Sequence, residues 1–285
     1  MKAIAYYDGK IGRPEDLTIP FNDRSHFFGD GVYDASMGAN NKIMFINEHL
    51  DRFYSSAASV HIPIPLEKDE LNDLLHSLLR KVDGDTQFVY WQVTRGYTGI
   101  RNHIYKDIPG KLWVLISEED LADPNKPLSL ITLEDKRYEY CNIKTINLLP
   151  AVLYANKGNN NDCDEVVLHR GDIVTECSHS NVSILKDGIL FSHPNNEHIL
   201  RGIAKTHLIQ AAFREGIQVI EKPFTLDELI FQSDEVIVTS SSHICMHANI
   251  IDGIQVGGKD PLSLKRLCSS VYEEAASYCE TTFKF

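Results

Sequence analysis

The chain has 285 residues, of which 43% are hydrophobic and 24% are charged, and its formal net charge is −12. This composition is typical of a globular protein whose core is large enough to fold without disulfides. The acidic balance and the lack of any basic run argue against nucleic acid, and against an anionic membrane surface, as a partner.

The sequence also carries no sign of a membrane or secretory protein. No apolar run approaches the ~20 residues of a membrane-spanning helix, and the first residues lack the apolar stretch of a signal peptide. The six cysteines show no C-x-x-C spacing, which indicates reduced thiols. The sequence therefore predicts a cytoplasmic protein.

The first 120 residues predict strands that alternate with helices. Asp8-Gly9 is a turn signal and predicts a hairpin after the first strand. Apolar residues spaced three and four positions apart predict one helix capped by Asn47 and a second helix over residues 67–82. The predicted strands cover residues 3–7, 87–94 and 111–117.

Residues 118–127 are acidic and contain two prolines, which favours a break between domains. The predicted domains are a smaller N-terminal α/β domain over residues 1–120 and a larger C-terminal domain over residues 128–285. Residues 121–127 form the predicted linker. The fold class is therefore predicted as α+β, in two domains.

The second predicted domain combines strands with at least three helices. Gly202 begins one helix, and Thr225 with Glu228 forms a capping box for another. Asp260-Pro261 opens the C-terminal helix, with the aspartate as its cap. The predicted strands lie near residues 129–134, 141–149, 164–169, 181–185, 189–191 and 235–239.

Lys144 lies in the middle of the predicted strand 141–149, among β-branched and leucine residues. An unpaired ammonium in an apolar strand loses solvation, which favours the neutral amine that attacks an aldehyde. The alternative is that Lys144 lies at a sheet edge and reaches water along its apolar stem. The strand by itself favours the alternative, so a chemical role depends on the surrounding residues.

An aldehyde cofactor such as pyridoxal phosphate needs a carboxylate for its ring nitrogen, phosphate-binding groups and a substrate site. Glu176 is a candidate carboxylate, although a surface position at a strand end fits its sequence equally well. The helix start after Gly202, the serines at 240–242 and the charge of Arg52 are candidates for the phosphate. Each also fits an ordinary helix start, turn or solvated arginine.

Arg101 and His103 share a loop with Arg95 and form a candidate carboxylate-binding pair, because arginine binds carboxylates through two donors. Most loop arginines are simply solvated, which is the alternative here. The histidines show no metal-ligand spacing, and no serine lies in a G-x-S-x-G context. Neither a metal site nor a serine hydrolase is predicted.

Six passages taken together resemble the class IV aminotransferases, the fold type IV family of pyridoxal phosphate enzymes. Within that family the chain is most similar to the D-amino acid aminotransferases, and the resemblance covers nearly the whole chain. The lysine passage followed by T-E-x-S-x-S-N is its most specific feature. The passages are FGDGVY (28–33), EHLDR (48–52), IKTINLL (143–149), EVVLHR (165–170), VTECSHSNV (174–182) and ILRGI (199–203).

The resemblance implies a barrel-like C-terminal domain, a site between the domains and a homodimer around it. It implies that Lys144 forms the Schiff base with pyridoxal phosphate and moves the substrate proton, and that Glu176 pairs with the ring nitrogen. Tyr33 resembles part of a trap for the substrate α-carboxylate, with Arg101 and His103 supplied by the neighbouring subunit. The residues implied around the phosphate and the ring are Arg52, Leu200, Ile203, Ala204, Ser240 and Ser241.

The implied reaction is ping-pong transfer of the amino group between D-alanine or D-glutamate and 2-oxoglutarate or pyruvate. Alternatives on the same fold are a branched-chain L-amino acid aminotransferase and an aminodeoxychorismate lyase. A catalytically silent binding protein is the alternative from another class. The specificity of the side-chain pocket and the D or L preference are not fixed by the sequence.

Three departures from the family pattern weaken the substrate prediction. Four residues separate Gly96 from Arg101, where the family's R-G-x-x-x-R-x-H pattern has three. Ala204 lacks the hydroxyl that relatives often carry, and Pro150-Ala151 replaces a stretch that is often Gly-Asn. None of these changes removes the lysine or the glutamate.

Overall fold

The computed structural model describes residues 1–97 and 99–283, and these form two compact units. Unit 1 comprises Met1–Leu121 together with Ile143–Asn147 and Ser277–Thr282. Most of unit 2 is formed by Ala122–Asn142 and Leu148–Ala276. The short segment that carries Lys144 therefore groups with unit 1, although it lies beyond the N-terminal domain predicted from the sequence.

Unit 1 is built on a six-stranded sheet. Its strands are β1 (Ala3–Tyr7), β2 (Lys10–Gly12), β3 (Gly31–Ala39), β4 (Lys42–Ile43), β5 (Thr86–Thr94) and β6 (Lys111–Glu118). Neighbouring strands pair antiparallel in the order β2-β1-β6-β5-β3-β4. The three predicted strands are confirmed. β3 was not predicted, because most of its residues are buried on both faces and its sequence does not alternate.

The helices of unit 1 are α1 (Arg24–Phe28), α2 (Ile46–Ser59) and α3 (Lys68–Leu79), and Pro14–Asp16 forms a 3₁₀ turn. The prediction that Asn47 caps α2 is wrong, since α2 begins at Ile46 and follows Phe45 at φ +51°. Glu67 and Glu70 form a capping box at the start of α3. The apolar residues that α2 and α3 bury form one hydrophobic core together with alternate residues of β5 and β6.

Unit 2 is built on a mixed nine-stranded sheet with its own core. Its strands are β7 (Leu128–Glu134), β8 (Glu165–Arg170), β9 (Ile173–Cys177), β10 (Asn181–Lys186), β11 (Ile189–Ser192), β12 (Gln218–Glu221), β13 (Glu235–Thr239), β14 (Met246–Ile251) and β15 (Ile254–Gln255). The order is β12-β11-β10-β13-β14-β7-β8-β9, and β15 pairs with β14. The pairs β11–β12, β14–β7 and β7–β8 are parallel.

The predicted strand at residues 141–149 is wrong. These residues form turns, with a single bridge from Thr145 to Val32, and helix α4 (Leu149–Asn159) begins inside the predicted strand. Pro150 occupies the first turn of α4, where its missing N–H and fixed φ favour a helix start. The leucines that looked like the end of a strand therefore lie where this helix begins.

The remaining helices are α5 (Ile203–Arg214), α6 (Pro261–Tyr278) and a π-helical turn at Glu228–Gln232. The predicted capping box is confirmed, since the backbone N–H groups of Thr225 and Glu228 donate to each other's side chains over 3.0 and 3.1 Å. The Asp260 cap of α6 is confirmed by a 3.1 Å hydrogen bond from Ser263 N. Within the described ranges, no helix is long and apolar enough to cross a bilayer.

Candidate active site

Lys144 and Tyr33 lie together in unit 1. Nζ of Lys144 donates to the Tyr33 hydroxyl over 3.2 Å and lies 4.3 Å from the centroid of the ring. Tyr33 N donates to the Lys144 carbonyl over 2.9 Å, and Tyr33 stacks on Tyr90 at 5.2 Å. Lys144 is half-buried rather than part of the core. In the described part of the chain no carboxylate pairs with Lys144, so its amine is held mainly by Tyr33.

Arg52 lies in unit 1 on α2 and forms a two-pronged ion pair with Asp34 of β3. Nε and Nη2 of Arg52 donate to the two carboxylate oxygens over 2.8 and 2.7 Å, and Nδ1 of His49 lies 2.8 Å from Oδ1. Burial by itself would raise the pKa of Asp34, but Arg52 and His49 hold that pKa well below its ordinary value. The carboxylate stays ionised and fixes the orientation of the Arg52 guanidinium.

Arg101 and His103 lie on an exposed loop of unit 1. The Arg101 guanidinium lies 4.7 Å from the centroid of Phe28, and the His103 ring lies 5.0 Å from the same ring. Among residues 1–97 and 99–283, no hydrogen bond or ring contact joins either side chain to Tyr33. The predicted trap is therefore not assembled within unit 1.

Glu176 lies in unit 2, at 5% exposure near the end of β9. Its Oε1 accepts from Nη1 of Arg137 over 2.7 Å. Its Oε2 accepts from Nδ2 of Asn181 over 2.9 Å and from Leu200 N over 3.0 Å. Burial raises the pKa of Glu176 above its ordinary value, while the Arg137 charge and these donors oppose the rise. Glu176 is thus a buried carboxylate oriented by three donors.

Asn181 connects Glu176 and Leu200, two residues of unit 2 that were predicted to hold the cofactor. Its Nδ2 also donates to the Leu200 carbonyl over 3.1 Å, and Asn181 faces Thr239 across β10 and β13. A Cβ at position 202 would collide with Oδ1 of Asn181, so only glycine allows α5 to begin this close. The Asn181 amide therefore lies where Glu176 and Leu200 meet the start of α5 and the end of β13.

The predicted phosphate-binding residues of unit 2 lie at the start of α5 and after β13. Ile203 and Ala204 are buried in the first turn of α5, which follows a glycine and so has no side-chain cap. Such a helix start presents backbone N–H groups to an anion.

Hydroxyl groups of residues 239–242 lie at the end of β13. The Ser240 hydroxyl accepts from His243 N over 3.0 Å, and Ser241 is half-buried. The Thr239 hydroxyl is buried and has no hydrogen-bond partner among the described residues. Backbone N–H groups at the start of α5 and hydroxyls after β13 are the donor types that a phosphate requires.

The residues described above, taken in each unit by itself, carry the chemical groups that pyridoxal phosphate needs. Lys144 offers an amine for the aldehyde. Glu176 uses three of the roughly four acceptor positions of a carboxylate, which leaves one for a protonated ring nitrogen. The Thr239 hydroxyl, which no described residue bonds, and the uncapped start of α5 suit a phosphate. No group of three or more His, Cys, Asp and Glu side chains in the described ranges is placed to hold a metal.

Three residues that orient Arg52 or Glu176 were not identified from the sequence: Asp34, Arg137 and Asn181. Asp34 directly follows the FGDGVY passage, and Asn181 lies inside the VTECSHSNV passage, so both stood next to or within a recognised motif. Arg137 follows β7 in a polar stretch that carries no motif. Its partner Asp135 is close in sequence, but its contact with Glu176 spans 39 positions and is fixed only by the fold.

Residues 31–251 match a family model described as "Amino-transferase class IV". A D-alanine aminotransferase of Listeria monocytogenes serotype 4b is 40% identical over 272 residues, which cover 93% of each chain. A D-alanine aminotransferase of Staphylococcus epidermidis is 34% identical over 255 residues, which cover 88% of this chain and 90% of the relative. The similarity therefore extends over most of the sequence.

Solved structures with the same fold include the branched-chain amino acid aminotransferase of Escherichia coli. Its TM-score is 0.87 at 20% identity, with 100% of this chain and 97% of that chain covered. The branched-chain aminotransferase of the archaeon Thermoproteus uzoniensis, solved with norvaline, gives a TM-score of 0.87 at 17% identity and covers 97% and 95%. At this identity the likeness concerns the fold alone, and it confirms the predicted α+β fold of type IV.

Proposed function

Because the chain belongs to the class IV aminotransferases, we propose that it transfers amino groups between D-amino acids and 2-oxo acids with pyridoxal phosphate as cofactor. D-alanine or D-glutamate would be the donor, and 2-oxoglutarate or pyruvate the acceptor. The D-alanine aminotransferase relatives at 34–40% identity support this substrate class. The observation that carries the proposal is the Lys144 amine held against Tyr33.

Lys144 is proposed to bond the cofactor aldehyde and to move the proton between the substrate Cα and the cofactor. The bound cofactor supplies an electron sink that stabilises negative charge at Cα. Tyr33 restricts the position of Nζ, because its hydroxyl accepts from Nζ over 3.2 Å. An amine that is already held in place loses less conformational entropy when it reaches the geometry for proton transfer.

Glu176 is proposed to keep the ring nitrogen protonated by placing a negative charge beside it. That role requires an ionised carboxylate, which burial disfavours. Arg137, Asn181 and the Leu200 N–H each stabilise the ionised form by donating to it. Arg52, fixed by Asp34, and the groups at Ile203, Ala204, Ser240 and Ser241 are proposed to bind the phosphate, with Leu200 against the ring.

Tyr33, Arg101 and His103 are proposed to bind the substrate carboxylate in a homodimer, with the last two supplied by the neighbouring protomer. Arg101 and His103 are exposed, as this arrangement requires. Helix α4 carries exposed Leu149 and Leu153, at 70% and 62%, which favours an oligomer. The six cysteines are free thiols, which favours a cytoplasmic location.

Turnover of D-alanine with 2-oxoglutarate tests the proposal in protein reconstituted with pyridoxal phosphate. We expect wild type to form pyruvate and D-glutamate, and Lys144→Ala to lose this activity because its amine is gone. Lys136→Ala, which changes an exposed lysine paired with Glu134, is the control and should retain activity. Turnover by Lys144→Ala at the wild-type rate would overturn the assignment of the lysine.

A further inference from the structure

We propose that Arg24 is a positioning residue that holds the loop carrying Arg101 and His103 in the conformation that binds the substrate carboxylate. The inference rests on the proposed function, because it assigns a support to the proposed trap. The trap loop is defined here as residues 99–105. It is exposed along its length, so its conformation depends on a small number of anchoring contacts.

Arg24 is itself firmly placed. Its side chain is 7% exposed, and Arg24 N donates to the Gly96 carbonyl over 2.8 Å. Asp23, which precedes it, accepts from Ser25 N as the cap of α1 and from the Thr94 hydroxyl, both over 2.9 Å. The short helix is thereby tied to the end of β5, where the segment leading to the trap loop begins.

The guanidinium of Arg24 bonds the trap loop directly. Nη1 donates to the carbonyl of Asn102, and Nη2 donates to the carbonyl of His103 over 3.2 Å. These two carbonyls belong to the residues that directly follow Arg101. A planar guanidinium offers such parallel donors in fixed geometry, so one side chain orients two successive peptide groups. A lysine has no equivalent fork.

Asp30 sets the orientation of that guanidinium. Its Oδ2 accepts from Nε of Arg24 over 2.7 Å and from Nε of Arg95 over 3.0 Å. Arg95 in turn donates to the carbonyls of Val60 and His61, each over 2.7 Å. The position of Arg24 is therefore fixed through Asp30 to a turn that follows α2.

Phe28, the last residue of α1, supports the trap side chains themselves. The Arg24 and Arg101 guanidinium carbons each lie 4.7 Å from the centroid of its ring. The His103 ring lies 5.0 Å away. Cations near an aromatic ring are attracted to it, which limits the directions in which Arg101 can point.

Loss of the anchor should change substrate binding rather than the chemical step. If Arg24→Ala leaves the binding conformation in roughly one tenth of the molecules, the apparent affinity falls roughly tenfold. We therefore expect KM for D-alanine to rise about tenfold, with kcat close to that of wild type. The Arg24→Ala Arg101→Ala double variant should show less than the product of the two single effects, since both act through one loop.

Backbone NMR order parameters of residues 99–105, measured beside KM and kcat, test the inference in the reconstituted protein. We expect Arg24→Ala to lower the order parameters of this loop, and Arg24→Lys not to restore them. Arg13→Ala, which breaks an exposed pair with Asp16, is the matched control and should behave as wild type. Phe28→Leu provides a second variant if Arg24→Ala does not fold, with the same expected rise in KM.

Unchanged order parameters of the trap loop together with an unchanged KM in Arg24→Ala would overturn the inference, and so would fully multiplicative effects in the double variant. A wild-type protein that does not turn over D-alanine would refute the proposed function instead. The order parameters then still report whether Arg24 anchors the loop, because that readout does not depend on activity.

Discussion

Nδ2 of Asn181 donates a 2.9 Å hydrogen bond to Oε2 of Glu176. The same nitrogen donates to the Leu200 carbonyl, while Leu200 N donates back to Glu176. Arg137 binds the other carboxylate oxygen. Both oxygens of the Glu176 carboxylate therefore accept hydrogen bonds, and these fix its orientation.

Asn181→Ala should destabilise the protein, because it leaves the Leu200 carbonyl and one carboxylate oxygen short of a donor. We expect a loss of about 1–3 kcal/mol in the free energy of unfolding, measured in urea. Affinity for pyridoxal phosphate should fall in the same variant. Asn161→Ala removes an amide bonded to Lys157 O at an exposed position and should change neither quantity. Equal behaviour of the two variants would contradict the role of Asn181.

Arg137→Ala tests the ion pairs that surround Glu176. Nη1 of Arg137 pairs with Glu176 over 2.7 Å and Nη2 pairs with Asp135 over 2.9 Å, at 13% exposure of the arginine side chain. Removing one partner of a buried pair leaves the other charge unpaired, so we expect a loss of about 3–5 kcal/mol in urea unfolding. The exposed Arg13→Ala variant should show no comparable change. A loss no larger than that of Arg13→Ala would contradict this assignment.

Glu165 predicts a measurable pH dependence of stability. It is 2% exposed and accepts from the Ser178 and Ser180 hydroxyls over 2.5 and 2.7 Å. Burial would raise its pKa, but the hydrogen bond and charge of His179, with the hydrogen bonds from Ser178 and from Val166 N, lower the pKa from 4.5 to about 2. The folded state therefore holds the ionised form more strongly than the unfolded chain does.

The direction of this pH dependence follows from the difference between the pKa of Glu165 in the folded protein and in the unfolded chain. A depressed folded pKa adds stability above pH 4.5, and that stability is lost as the pH falls toward 2. We expect the lowered Glu165 pKa to make the free energy of unfolding of wild type exceed that of Glu165→Gln by roughly 3 kcal/mol at pH 7. At pH 3 the difference should be less than half of that. Urea unfolding between pH 7 and pH 3 measures the gap, with Glu273→Gln at an exposed position of α6 as control. A gap that stays constant over this range would refute the prediction.

The sequence predicted the elements whose apolar pattern is regular. The strand at 111–117 buries alternate residues, the strand at 87–94 does so over its first part, and α3 carries leucines at helical spacing, so their patterns identify them. The strand at 3–7 is short and is followed by a turn signal. β3 has almost no exposed face, and α4 is exposed along an apolar side, so neither shows the expected periodicity. The lysine segment was predicted as a strand because its β-branched residues outweighed the helix-start signal of Pro150.

The candidate site was predictable where it rests on motifs and unpredictable where it rests on long-range contacts. Lys144 and Tyr33 were both singled out from sequence passages, but their 3.2 Å contact spans 111 positions. The Arg52–Asp34 and Arg137–Glu176 pairs arise only when separate elements fold together. The catalytic and binding roles of the site residues, and the domain boundary at residues 121–127, remain predictions.

The most direct test of the central claim is a half-reaction in the absence of any 2-oxo acid. Purified protein loaded with pyridoxal phosphate is mixed with D-alanine, and separately with L-leucine, while the absorbance of the bound cofactor is followed. A rapid spectral change with D-alanine only, lost in Lys144→Ala, is the predicted result. A change with L-leucine only, or with neither amino acid, would contradict the assignment of this chain as a D-amino acid aminotransferase.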